Sequence, residues 1–200
     1  MARYTGPMTK KSRRLGIDLV GGDSAYERRP YPPGQHGRGR IKESEYLLQL
    51  REKQKAKRIY GLLEKQFRNL YQQANGQAGI TGENLLQMLE LRLDNVVFRA
   101  GYSASRNQAR QFVRHGHVLV NGKRVTIPSY QVRRGDVVEL GPKAKSMIVI
   151  RHNLDTLDRA VPQWLEVSSA DHKATVRDLP LRDQIDVPVR EQLIVELYSK

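Results

Sequence analysis

The chain has 200 residues and no cysteine, which bounds it to one or two domains and excludes disulfide scaffolds, thiolate zinc sites, iron–sulfur clusters and thiol nucleophiles. Its 35 Lys+Arg against 21 Asp+Glu leave a net charge of +14, a surplus that repels itself unless a polyanion neutralises it. The longest apolar run, Met147-Ile148-Val149-Ile150, is far short of the ~20 residues of a membrane span. Arg3, Lys10, Lys11, Arg13 and Arg14 are followed by no apolar stretch, so no secretory signal is expected. The charge is graded: +10 over residues 1–70, +6 over 71–150 and −2 over 151–200. A solvated basic face accounts for any single run, but persistence of the excess through three-quarters of the chain favours a binding surface.

Residues 1–43 hold Gly21-Gly22, Pro30, Pro32-Pro33-Gly34, Gly37 and Gly39, punctuation that forbids long regular elements. Arginines run through this stretch, and the spacing predicts a basic arm that a partner must order. Tyr4, Tyr26 and Tyr31 beside those arginines suit stacking on bases or sugars. Over residues 44–75, Ile59, Leu63, Phe67 and Leu70 recur at helical spacing, which predicts an amphipathic helix. Its first half is cationic: Arg51, Lys53, Lys55, Lys57 and Arg58. Asn75-Gly76 and Gly79 stop it.

Thr81 or Asn84 is expected to cap a further helix, whose Leu85, Leu86, Leu89, Leu93, Val96, Val97 and Ala100 share one arc up to Gly101. A short helix is predicted over 103–115, with Ser103 or Ser105 as cap and Gly116 as terminator. Asn121-Gly122 between Val118-Leu119-Val120 and Lys123-Arg124-Val125 is a strong hairpin signal. Further strands are expected over 136–140 and 146–151. Trp164 should dock an extended segment, and Pro188 should open a final helix whose Val189, Leu193, Ile194 and Leu197 need a surface to cover.

The informative block runs from Leu91 to Glu139. Arg106, Arg110 and Arg114, spaced four apart, predict a row of guanidinium groups beside a packed Ala109, Phe112 and Val113 face. Such forks suit phosphate. Ser105 at the helix start favours an anion, and Lys123, Arg124, Arg133 and Arg134 extend the ridge. Strand alternation sends Lys123 and Arg124 to opposite sides. No reading helix of the helix-turn-helix kind is evident, so folded RNA is favoured over DNA.

Leu91-Arg92-Leu93-Asp94-Asn95-Val96-Val97, Ser105-Arg106, Ala109-Arg110 and Val120-Asn121-Gly122 resemble the RNA-binding domain named after ribosomal small-subunit protein four. Pro33-Gly34-Gln35-His36-Gly37, Arg58-Ile59-Tyr60-Gly61, Thr81-Gly82-Glu83-Asn84-Leu85-Leu86 and Leu193-Ile194-Val195-Glu196-Leu197-Tyr198-Ser199-Lys200 extend the likeness end to end to the bacterial family of that protein. The resemblance implies a structural constituent of the small ribosomal subunit: a primary 16S rRNA binder that nucleates assembly of the 30S body, in the cytoplasm. It also implies a place where mRNA enters the subunit, through Arg38, Arg40 and Lys42, and a contact of the C-terminal segment with neighbouring small-subunit protein five that influences accuracy. Expected rRNA contacts are Arg3, Arg13, Arg14, Arg51, Lys53, Lys55, Lys57, Arg58, Arg68, Ser105, Arg106, Arg110, Arg114, Lys123, Arg124, Arg133 and Arg134. Many family members hold zinc with four N-terminal cysteines. This chain has none, so rRNA or packing must order residues 24–33.

The expected fold class is α+β. A basic arm (1–43) and a helical domain (44–90, with the C-terminal segment) accompany an RNA-binding domain (91–155) of two short helices and a hairpin-rich sheet. A C-terminal segment with a helix (156–200) follows. An RNA-modifying enzyme carrying the same RNA-binding domain is the rival, but too little chain remains for a catalytic core, and no Walker or dinucleotide loop is present. His115 and His117 lack further ligands nearby in sequence, and the pairs Asp155/Asp158 and Asp183/Asp186 suit capping or solvation. No enzyme, cofactor, metal, membrane or small-molecule substrate is expected. A free RNA binder that represses its own message would use the same cationic surface.

Overall fold

A computed structural model of the chain describes residues 4–39, 42–157, 160–168 and 170–199. It forms two compact units, residues 1–82 with 187–200, and residues 83–186.

In the first unit, helix α1 (Met8–Leu15) ends at Gly16, which takes a left-handed φ of 68°. Helix α2 (Ser24–Arg28) is short and capped by the Asp23 carboxylate, which accepts from the backbone N–H groups of Ala25 and Tyr26. The segment between them is organised by carboxylates. Asp18 accepts from the backbone N–H groups of Val20 and Asp23, and Thr9 donates to Asp23 at 2.6 Å. Residues 30–39 are pinned at Tyr31, whose carbonyl accepts from Arg13 and whose hydroxyl accepts from Arg38. Of the two means expected to order this region, rRNA or packing, packing within the chain therefore holds it. The tyrosine faces are also engaged: Arg13 and Arg38 lie over Tyr31, and Lys11 and Arg58 over Tyr4. Tyr4 and Tyr31 thus pair with cations of this chain, and Tyr26 is half-buried.

The helix expected over 44–75 is two. Helix α3 (Glu45–Ile59) starts at Ser44, whose hydroxyl accepts from Leu47 N. It stops where Gly61 takes φ 65°, with Gly61 N bonding Arg58 O and Leu62 N bonding Lys57 O. That pair of bonds forms a Schellman stop, which the left-handed Gly61 permits. Helix α4 (Glu64–Asn75) then restarts and buries Phe67, Tyr71 and Ala74. The closing helix α10 (Glu191–Ser199) begins three residues after Pro188 rather than at it. It packs on α3. Gln49 donates to Glu196, Arg190 N donates to Glu52, and Tyr198 stacks on Tyr71 with ring centroids 4.4 Å apart. Its apolar face is thus covered inside the unit, which supplies the surface that its apolar residues require.

The long arc over 85–100 also breaks. Helix α5 (Thr81–Glu90) starts at Thr81 itself, and α6 (Leu93–Arg99) follows an extended Arg92. Arg92 forms an isolated bridge with Gln131. Helix α7 (Arg106–Arg114) resolves the cap to Ser105, which accepts from Gln108 N. Gly116 ends it at φ 72°, with His117 N bonding Phe112 O. Strands β1 (Val118–Val120) and β2 (Lys123–Arg124) form the expected hairpin, with Asn121 at φ 50° and Gly122 at φ 75°, the pair of positive angles a type I′ turn requires.

Strand β3 (Val137–Leu140) is also as expected. Residues 146–151 are not a strand: helices α8 (Pro142–Lys145) and α9 (Ile148–Thr156) occupy that region. In α9, Ile150 and Asn153 are buried and Leu154 packs on the core, a three- and four-residue spacing that overrides the β-branched run. Strands β4 (Leu165–Ser168) and β5 (Lys173–Val176), which the sequence reading missed, complete an antiparallel sheet in the order β2-β1-β3-β5-β4. A short 3-10 turn, Arg182–Gln184, follows. Trp164 is buried in the core as expected. The class is α+β.

Glu64 joins three helices: its carboxylate accepts from Lys53 at 2.7 Å, from Lys57 at 2.6 Å and from the Tyr198 hydroxyl at 3.1 Å. Burial alone would raise its pKa, but the hydrogen bonds and charges of Lys53 and Lys57 outweigh this and hold it at about 2. A carboxyl depressed on folding stabilises the fold above its unfolded pKa and loses that contribution as pH falls through the folded value. Acid titration from pH ~4.5 to ~2 should therefore destabilise the chain. Glu64→Gln should flatten that part of the profile, as measured by denaturant unfolding at each pH.

Candidate nucleic-acid interface

The second unit is built around charges that are buried and matched. Arg92 and Asp94, both buried, form a two-pronged pair, Nε to Oδ1 at 3.0 Å and Nη2 to Oδ2 at 2.8 Å. Fully buried Glu90 accepts both prongs of Arg99 at 3.0 Å. Asn95 donates to the Glu90 carbonyl and carboxylate at 2.9 and 2.8 Å, and its own Oδ1 accepts from Arg106 Nε at 2.8 Å. Arg106 also lies over Phe98, 4.3 Å from the ring centroid. Charges buried this way are stable only with their partners in place. The chain Glu90–Asn95–Arg106 therefore sets the attitude of Arg106 on the rim of α7.

The expected row of three arginines is only partly present. Arg110 is 3 % exposed and Arg114 is exposed. Arg106 is half-buried. Arg110 lies nearer than Arg114 on the helix arc to buried Val113, so packing reaches it and it presents no fork to solvent. The start of α7 is closed by its own side chains. Ser105 accepts from Gln108 N, Gln108 Oε1 accepts from Ala104 N, and Asn153 of α9 donates to the same oxygen. Ser105 is exposed but serves as the cap.

The hairpin tip is braced by Asn121, which donates to Asp136 at 2.9 Å and accepts from Val137 N at 2.9 Å. Lys123 is exposed. Arg124 turns back over Gly116, where a Cβ would come within 2.0 Å of its Nε, and donates to His115 O. The two side chains thus part company, as strand alternation requires. Arg133 and Arg134 are exposed in the turn before β3, Arg134 donating to Arg177 O and facing Asp178 at 3.7 Å. His117 sits between this hairpin and α7. Burial, His115 and Arg124 lower its pKa, which favours its neutral form.

In the first unit the cationic half of α3 is matched internally. Arg51 pairs with Glu43, Lys53 and Lys57 with Glu64, and Lys55 with Glu52, while Arg58 lies over Tyr4. Lys57 is buried. None of the five is fully exposed, contrary to the expectation of an open basic row. Arg13 is half-buried against Tyr31. Arg14, Arg38, Lys42 and Arg68 are exposed, and Arg3 and Arg40 lie outside the described residues.

Sequence reasoning missed the exposed Lys65, one turn from Arg68, and Lys143 and Arg151 on α8 and α9. Their charges were visible, but only folding α9 as a helix brings the last two to the surface together. It also missed Glu90, Asn95 and Gln108, whose signal was a polar group inside an apolar arc.

His115 and His117 have ring centroids 6.0 Å apart. Among the described residues no group of three His, Cys, Asp or Glu is placed to hold a metal ion, and no helix is long and apolar enough to cross a membrane. Asp155, Asp183 and Asp186 are exposed, and Asp158 lies outside the described residues.

Comparison with known proteins gives a concordant result. Residues 3–90 match the ribosomal protein S4/S9 N-terminal domain and residues 91–138 match the S4 domain. The chain is 66 % identical over 203 residues to the small ribosomal subunit protein uS4 of Nocardioides sp.. It is 61 % identical over 201 residues to that of Rhodococcus opacus and 60 % identical to that of Corynebacterium jeikeium. All three comparisons cover the whole of both chains.

The burial pattern separates two arginines that helical spacing alone treats alike. Arg110→Ala should cost the fold roughly 2 kcal/mol, as loss of a buried charged group does. Arg114→Ala should stay within about 0.5 kcal/mol of the parent. Thermal unfolding of the two variants checks the difference.

Proposed function

The chain belongs to the uS4 family of small-ribosomal-subunit proteins, and from that membership we propose that it is a primary binder of 16S rRNA whose docking nucleates assembly of the 30S body. The family is a structural, non-enzymatic part of the ribosome that carries an RNA-binding domain. The observation that carries the finer reading is the exposed basic edge of the second unit: Arg114 at the end of α7, Lys123 at the hairpin tip, and Arg133 and Arg134 before β3. These forks and ammonium groups suit phosphates and 2′-hydroxyls of a folded RNA better than base edges. Arg106, held by Asn95, and Arg124, held over Gly116, lend that edge two pre-set guanidinium groups. Among the described residues of the first unit, Arg14 and Arg68 are the exposed members of the expected rRNA set.

Arg38 and Lys42, exposed before α3, support a place beside the path by which mRNA enters the subunit. Asp178, Asp183 and Asp186, exposed with Leu179 and Leu181 in the acidic segment after β5, support a contact with a basic neighbour. We assign that neighbour as small-subunit protein five, through which decoding accuracy is influenced.

Replacing Arg114, Lys123, Arg133 and Arg134 together with Ala should weaken 16S rRNA binding. It should also lower the steepness of log affinity against log salt by about 3, since each lost phosphate contact removes ~0.7–0.9. An unchanged slope would overturn the assignment of this edge. A full-length chain that fails to co-sediment with small subunits would overturn the ribosomal reading itself.

A further inference from the structure

One feature of the first unit is not used by the basic edge described above. A cleft of ≈ 570 Å³ opens between α1, α3 and the loop at Pro32. Leu15, Leu47 and Leu50 form an apolar wall, while Lys11, Arg14 and Arg58 line the same space. The other two cations in the cleft are already neutralised, Arg51 by Glu43 and Lys57 by Glu64. Among the described residues, Lys11, Arg14 and Arg58 have no carboxylate partner, and Lys11 and Arg58 share only the ring of Tyr4. Burial and the charges of Arg58, Arg14, Lys10 and Lys57 all disfavour the charged form of Lys11. Like charges gathered on a concavity favour an anion there.

Phosphates alone explain the cations but not the leucines. A double helix presents its phosphates to a surface and leaves its bases stacked inside, so it has nothing to set against a concave apolar wall. An unpaired nucleotide has both parts, a flat apolar base and an anionic phosphate, and the cleft lies in the size range of ligand sites. A second cleft of ≈ 290 Å³ shares Arg14, Leu15, Pro32 and Arg51 with the first and continues along the backbone of Gly37 and Gly39. Glu43, bound to Arg51, is its single carboxylate. Two adjoining clefts suit successive nucleotides of a strand better than one free nucleotide.

We propose that the α1–α3 cleft is a binding site for an unpaired RNA strand, seating a base on Leu15, Leu47 and Leu50 and its phosphate on Lys11, Arg14 and Arg58. The proposal rests on the RNA-binding reading above and adds to it the class of RNA element this unit takes.

The test uses the full chain and three probes: a fluorescent short oligoadenylate, a blunt RNA duplex of equal length, and free AMP. Leu47→Asn, which removes apolar wall without altering charge, should weaken oligoadenylate binding about tenfold. It should leave duplex binding unchanged. Arg14→Ala, at an exposed position that folding tolerates, should weaken oligoadenylate binding by several-fold and keeps the test open if Leu47→Asn fails to fold. Duplex competing as well as oligoadenylate would overturn the proposal, as would AMP binding as tightly as the strand. So would oligoadenylate affinity unmoved in both variants while 16S rRNA still binds. A parent chain that binds neither 16S rRNA nor oligoadenylate overturns the RNA-binding reading on which the proposal rests.

Discussion

A chain with a net charge of +14 folds only if its cations are matched or spread apart, and that constraint shapes both units. In the first, Glu64 stands between Lys53 and Lys57 and takes the Tyr198 hydroxyl, so one carboxylate ties α3, α4 and α10 together. Glu43 and Glu52 serve Arg51 and Lys55 in the same way. Carboxylates are fewer than cations, and placing several of them against the densest basic run lets α3 pack instead of standing in solvent. Pairs of this kind are weak when fully exposed, but Lys57 is buried and its partner is therefore obligatory.

The second unit solves the same problem with buried pairs. Arg92 with Asp94, and Arg99 with Glu90, occupy the turn and the helix that an all-apolar arc would have filled. These groups break the long helix into α5 and α6 and let Arg92 reach Gln131. Through Asn95 the same cluster reaches Arg106 at the rim. A polar network with every member engaged is rigid, and here it fixes the attitude of Arg106 on the rim of α7. Arg114, Lys123 and Arg133 lie outside these buried networks and are exposed.

Much of the fold was legible in the sequence where a local rule has one solution. Asn121-Gly122 requires positive φ at both positions, and the hairpin followed. Gly116 after Arg114, and Trp164 in a Pro-broken segment, were equally direct. Elsewhere the local rule had two solutions and packing chose. Gly61 lies inside a helical spacing that runs on from Ile59 to Leu63, yet it stops one helix and lets another start. The Met147-Ile148-Val149-Ile150 run reads as a strand until Ile150, Asn153 and Leu154 are seen to face one core. Strands β4 and β5 are short, and their alternation is interrupted by the turn that carries His172 at φ 55°. The basic character of the surface was legible as composition. Which cations are exposed was not, because Arg110 and Lys57 are buried by contacts that helical spacing does not encode.

The protein divides its cations between those engaged within the fold and those proposed to meet RNA, and lysine reactivity reads that division directly. Reductive methylation of the full chain, alone and bound to 16S rRNA, should leave Lys57 unmodified in both states. Lys123 should react freely in the isolated chain and be protected in the complex. Lys57 reacting until RNA is added, with Lys123 reacting equally in both states, would contradict the account.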